Sequence, residues 1–392
     1  MLHVLQAKRS RVKECEPCHH GLNGTFDPIG LLNRISRAVS SRQTRDAMET
    51  GMLQSARQQR ICERSSVFAM VLLVVLFVAH PAFCADTTQT GVFGLIVEND
   101  VFYHRDGDYT NGIELVWVPA DESTAPKWAL RAARELPWFP QDGQVRHGYI
   151  FGQKMFTPDD ITVADPPLDD RPYAGWLYAT IGLGVASDRQ LDQIWLSLGV
   201  VGPASLAGQT QKTVHKWTNA DAPQGWDTQL GNEPGIVLGY QRAWHKFATM
   251  TALGLDVDLT PDLGASLGNV YTYVDAGITL RYGKSLPLDY GPPRIQPSPP
   301  ASAFFIPTGP FAWYIYASLE GRAVLRNIFL DGNTFKDSRS VDKEPLVGDL
   351  QWGVVLTWRR TRLSYTHVVR TREFKTQGAH EEFGSFSVSI SF

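Results

Sequence analysis

Three polar stretches of this chain carry groups able to do chemistry. In the first, Glu98, Asn99 and Asp100 interrupt the apolar run that begins at Phe93. The second, "DGDYTNG" from Asp106 to Gly112, holds Thr110. The third is "QKTVHKWTNADAPQGWDTQLGNEPG", Gln211 to Gly235. There Gln211 stands four residues before His215, so a helix would put both on one face. Asp221 follows six residues after the histidine. An imidazole, carboxylates and a hydroxyl are the parts of a hydrolytic site, in which a neutral histidine takes a proton from water. Blander origins account for each stretch as well. A solvated loop rich in turn formers has the composition of the first two, and a lone histidine on an external helix is commonly just surface. No G-x-S-x-G elbow is read in the chain, so a serine hydrolase lacks its best signature.

Such groups need a scaffold. The last residues alternate Phe386, Val388, Ile390 and Phe392 with Ser385, Ser387, Ser389 and Ser391. A period of two means a strand with one apolar and one polar face. The edge of a soluble sandwich alternates the same way, but an exported chain ending in such a strand on an aromatic residue resembles outer-membrane barrels. Tyr173–Ser187, Gln193–Gly202, Gly235–Leu259, Asn269–Gly283, Phe311–Gly332 and Asp349–Phe374 read as further strands or hairpins. "WHK" (Trp244–Lys246) and "RRTR" (Arg359–Arg362) stand where short turns belong. The count is about 12 strands, an even number that returns both termini to the periplasmic side. Two stretches read as helices: Ala125–Phe139, expected in an external loop, and Ala207–Ala220. Tyr290–Pro310 is a Pro-rich irregular loop. The expected fold is all-β: a transmembrane antiparallel β-barrel with an extracellular loop helix, spanning residues 86–392.

Ser65–Ala79 is apolar, follows Arg57, Arg60 and Arg64, and precedes the small residues of "AHPAFCAD". That is the three-part layout of a secretory signal peptide. It is short of the roughly 20 apolar residues that a spanning helix needs. Residues 52–85 are therefore read as the signal peptide. Residues 1–51 are read as a disordered extension, or as sequence upstream of a true start at Met52. "CEPCHH", Cys15–His20, matches the haem-attachment pattern C-x-x-C-H but stands ahead of the export signal. All four cysteines, Cys15, Cys18, Cys62 and Cys84, precede Ala85, so the mature chain is expected to use neither disulfides nor a thiol nucleophile. A formal charge of −3 gives no basic face for nucleic acid.

"VEND", then "DGDYTNG", "DDRPYAGWLY" and "GVVGPASLAGQTQKTVH", with Trp226 eleven residues after the histidine, occur in that order over most of the mature chain. The set resembles the outer-membrane lipid A 3'-O-deacylase family. That resemblance implies a twelve-stranded barrel in the bacterial outer membrane, with its site between the outer barrel wall and an extracellular loop helix. It implies calcium-dependent hydrolysis of the 3'-linked acyloxyacyl chain of lipid A. By motif it assigns Asn99 and Asp100 to the family's Asn-Asp pair, Thr110 to its hydroxyl, and Gln211 and His215 to its glutamine and catalytic histidine. The family's acid falls on Asp221, one methylene shorter than glutamate, unless Glu233 takes the role. Ca2+ prefers oxygen ligands, and Asp100, Asn99 and Asp221 are the implied ones. The implied partners are lipid A and outer-membrane lipids, with a monomeric protein and no nucleic acid. The alternatives are an outer-membrane phospholipase and a non-catalytic structural or channel barrel.

Neighbouring residues of a regular strand point to opposite faces. Asn99 and Asp100 can therefore share a site only if the strand bends, bulges or ends there. His215 is expected on the outer wall, on the order of 10 Å from Asp100 and Thr110. Activity is expected to fall on acidification, because only neutral imidazole accepts a proton.

Overall fold

The computed structural model of the chain describes residues 91–100, 108–119, 126–289, 305–306 and 309–392. The extension, the signal peptide, all four cysteines and the C-x-x-C-H string lie outside these residues, as do Asp106 and most of the Pro-rich stretch.

Strands dominate. β1 (Val92–Asn99) and β2 (Asp108–Val118) form the first hairpin, followed by β3 (Gln144–Thr157), β4 (Ala174–Ala186) and β5 (Gln190–Val201). Next come β6 (Glu233–Trp244), β7 (Ala248–Ala252), β8 (Leu255–Gly268) and β9 (Tyr271–Lys284). β10 (Leu288–Asp289) pairs with β11 (Phe305–Ile306) as a small separate ladder. β12 (Phe311–Asn327), β13 (Leu346–Trp358), β14 (Thr361–Arg370) and β15 (Glu381–Ser391) complete the order. Pairing runs antiparallel from β6 back to β1, on to β15, then through β14, β13, β12 and β9 to β8. The far edge of β8 takes both β6 and β7, which share one place in the ring, so the barrel closes with twelve strands. Gly91 and Phe392 exchange backbone hydrogen bonds (3.0 and 2.9 Å), stitching the first strand to the last. Among the described residues no helix is long and apolar enough to cross a membrane; in this barrel the crossing falls to the strands.

The period of two sorts every strand into a lumen face and a lipid face. On β15, Ser385, Ser387, Ser389 and Ser391 are buried toward the lumen. On β2 and β3 the outward Leu115, Trp117 and Phe151 are exposed, as a lipid-facing wall requires. The lumen carries charge, which is tolerable only in pairs. Arg322 and Arg370 both reach Asp349 (3.0 and 2.9 Å), and Arg171 reaches Glu373 (3.4 Å). Lys154 lies over the rings of Trp176, Tyr178 and Tyr271.

Three expectations need correction. "WHK" does not reverse the chain. β6 and β7 run in the same sense along β8, and the reversal falls at Leu253–Gly254, both with positive φ (52° and 78°), as a tight hairpin requires. Trp244–Lys246 instead belongs to a bulge opposite Pro261, which has no N–H to give the ladder. Second, a G-x-S-x-G string does occur, at Gly264–Gly268. It lies inside β8 with Ser266 buried, not on the strand-to-helix turn that the elbow needs. Third, helix α1 (Lys127–Glu135) is not in an external loop. β2 returns toward the chain termini, so the β2–β3 connection lies at the terminal end. There α1 buries Ala129 and Ala133 with Val145, Leu183 and Val185. Strand parity puts those three strand residues on the outward face of β3 and β4, so α1 lies outside the barrel. Arg242 holds the following segment by donating to the Trp138 carbonyl (2.5 Å).

Candidate active site

At the other end of the barrel, β1 stops at Asn99 and the backbone bends at Asp100. Glu98 is buried on the lumen side and Asn99 faces outward, paired with Asn111 of β2. The two asparagines clamp the hairpin: Asn99 donates to the Thr110 carbonyl (3.0 Å) and Asn111 to the Glu98 carbonyl (3.1 Å). Asp100, at the bend, is buried. The strand end thus removes the alternation that would force Asn99 and Asp100 apart.

A bulge places Thr110. The β2–β3 register passes from Asn111 opposite Met155 to Asp108 opposite Thr157, three steps against two. The extra residue lets Tyr109 turn into the lumen, against Phe156 and Phe383 (centroids 5.4 and 5.1 Å). Thr110 instead hydrogen-bonds the Thr157 hydroxyl (2.6 Å). Thr157 shares its face with Met155 and Gln153, the outward face of β3.

The helix α2 (Ala207–Thr218) docks on that same outer face. It follows a 3-10 turn, Pro203–Ser205, and Leu206 in the left-handed region (φ 62°). Gln153 donates to the Ser205 carbonyl (2.6 Å). Close approach depends on Gly175 of β4, where a Cβ would come within 2.2 Å of Ser205 Oγ and 2.3 Å of Ala207 Cβ. Met155, Tyr173, Ala207 and Trp226 form the apolar seam between helix and wall. The buried face of α2 is Ala207, Gly208, Gln211 and His215, a helical repeat of three and four. Lys212 and Lys216 face solvent.

Asn219 (φ 57°) ends the helix and returns the chain toward it. His215 Nδ1 then meets the Asp221 backbone carbonyl at 2.5 Å. A carbonyl only accepts, so Nδ1 carries the proton and Nε2 is the basic nitrogen. The Asp221 carboxylate itself is exposed. Glu233 is committed elsewhere: it accepts from Asn269 (3.1 Å), from Asn333 (2.8 Å) and from the Thr334 backbone (2.8 Å), tying β6 to the loop after β12. Gln211 Oε1 accepts from the Trp226 indole (2.7 Å). In the neighbouring β3–β4 loop, burial pushes the Asp170 carboxyl above its usual range, against backbone hydrogen bonds from Asp159 and Arg171.

The structure thus brings Asn99, Asp100 and Thr110 to one strand end, and Gln211 and His215 to a helix on the adjoining outer wall. Thr157, Tyr173, Gly175 and Trp226 join them without having been singled out for a role. Trp226 and the "PYAG" string stood in quoted motifs, but spacing alone says nothing of a contact between them. Among the described residues no three His, Cys, Asp or Glu side chains are arranged to hold a metal. Asn99 and Asp100 do offer amide and carboxylate oxygens, the donor type that calcium takes.

The family model described as "Outer membrane protein LpxR" matches residues 69–392. The solved structure of LpxR from Salmonella typhimurium superposes with a TM-score of 0.62 at 18% identity, covering 77% of this chain and 100% of that one. The β-domain of the Bordetella autotransporter BrkA gives a TM-score of 0.37 at 10% identity, covering 78% and 98%. No curated protein matches the chain.

Proposed function

The chain belongs to the LpxR family of outer membrane proteins, and from that premise we propose that it is a calcium-dependent esterase that removes the 3'-linked acyloxyacyl chain of lipid A. One observation carries the reading: the buried histidine sits on the outer wall, on a helix, with its Nδ1 capped by a carbonyl. A lumen site would suit a soluble substrate. An outer-wall site suits one whose acyl chains stay in the membrane while its ester reaches the rim.

In the proposed reaction, His215 Nε2 takes a proton from water and the water oxygen attacks the ester carbonyl. The carbonyl oxygen becomes an oxyanion, which the Thr110 hydroxyl stabilises by donation, with Thr157 fixing its direction. The intermediate then expels the sugar 3'-oxygen, which recovers the proton from the imidazolium, and the chain leaves as a carboxylic acid. Asn99 and Asp100 would hold calcium, whose chemistry is Lewis-acid polarisation of the ester. Asp221 contributes through its carbonyl, and the protein acts as a monomer.

The test is purified protein with lipid A, followed by mass spectrometry. Hydrolysis that stops on chelation with EGTA and returns with calcium supports the reading. Hydrolysis that continues in EGTA removes calcium from it, and hydrolysis of phospholipid but not lipid A gives the site to a phospholipase.

A further inference from the structure

Gln211 is 2% exposed, and the two ends of its amide are treated differently. The indole N–H of Trp226 meets one end at 2.7 Å. An indole nitrogen only donates, so the atom facing it must be the amide oxygen. The choice of which end is nitrogen, normally open for a glutamine, is therefore made by chemistry. The other end, Nε2, is buried and makes no hydrogen bond among the described residues. A buried amide with two idle donors is an exception in folded proteins that calls for a cause. His215 lies one helical turn away on the same buried face.

Trp226 is firmly held. Its ring lies 5.0 Å from that of Tyr173, whose hydroxyl donates to the Ile161 carbonyl (3.2 Å). Gly208 of α2 lies against it, where a Cβ would come within 2.9 Å of the indole. Gly225, beside it, lies against Tyr173 in the same way. The ring is thus wedged between the helix and the wall with its N–H directed at a single acceptor.

We infer that Trp226 is a positioning residue: it locks the Gln211 amide so that the buried NH2 faces the reacting ester and donates to the carbonyl oxygen as it becomes an oxyanion. The inference rests on the esterase reading above. Without the indole the amide can turn over, and its oxygen would then repel the developing negative charge. The unmet donor has its partner only in the transition state, which is where a catalytic hydrogen bond is most effective.

The test uses the full-length protein folded in detergent, with heat-modifiable gel mobility as the check on the barrel. Gln211→Glu keeps an acceptor for the indole but destroys the donor, and should lower kcat by about 10²-fold or more. Trp226→Phe removes the N–H and should lower kcat about tenfold with KM nearly unchanged. In the Gln211→Glu background, Trp226→Phe should cost little more, because the two act as one unit. Should the phenylalanine variant not fold, benzothienylalanine at 226 replaces the N–H by sulfur in the same shape and carries the same expectation. A phosphonate mimic of the tetrahedral intermediate should lose affinity in these variants, while a non-hydrolysable ether analogue of the substrate should not. A merely structural tryptophan gives the opposite pattern: multiplying losses and both analogues weakened together. That pattern, or full kcat without the N–H, overturns the inference and leaves the esterase reading standing. A wild-type protein that leaves the ester intact ends both.

Discussion

Two helices lie against the outward face of β3 and β4, one at each end of the barrel. At the terminal end, α1 buries Ala129 and Ala133 against Val145, Leu183 and Val185. At the far end, α2 buries Gln211 and His215 beside Ala207 and Gly208. The wall is the same and the packing problem is the same, but the buried groups are not. Burying alanine against valine needs no further explanation. Burying an imidazole and an amide has a cost that packing does not return. The helix that accepts that cost is the one at the barrel end where β1 stops at Asn99. Density of charge is a poor guide by comparison: among the described residues the lumen holds most of the buried ion pairs, and they hold one another.

The contrast breaks most sharply at Gly175, under α2. Gly175→Val drives a side chain into Ser205 and Ala207. We expect turnover to fall by about 10²-fold as the helix shifts by an ångström or more, with the barrel still heat-modifiable. Thr157→Val keeps the shape of the wall and removes the partner of the Thr110 hydroxyl. Steady-state kinetics should give a loss of about tenfold in kcat. Asp221→Asn keeps the backbone carbonyl that His215 meets, so a loss of no more than about threefold is expected. A collapse in that variant would return the role to the carboxylate. At the other helix, Ala129→Leu overpacks the seam and should destabilise the barrel by about 1–3 kcal/mol, read as a lower heat-modification midpoint, with turnover per folded molecule unchanged.

Much of this was legible in the sequence. The Ser/Phe alternation of β15 announces a two-faced strand, and the Gln211–His215 spacing announces a shared helix face. The strand count followed from successive apolar-aromatic segments separated by turns, because lipid and lumen impose opposite polarities on successive residues. What was missed depends on pairing. "WHK" has the polarity of a turn, but only its partner strand shows that it sits in a bulge. Helix α1 looked like any loop helix, and its end of the barrel follows from counting strand reversals. The bulge at Tyr109 and Thr110 comes from register with β3, which no local pattern records. The Trp226–Gln211 hydrogen bond spans fifteen residues and needs the helix docked before it exists.

The central claim is that the outer-wall histidine hydrolyses an ester of lipid A. Mass spectrometry of lipid A from cells producing the wild-type protein or His215→Ala, at equal levels of folded barrel, tests it directly. The account predicts lipid A lighter by the 3'-linked acyloxyacyl chain with the wild type, and a loss of conversion of about 10²-fold or more with the variant. Unaltered lipid A in both strains, or the same conversion in both, would contradict it.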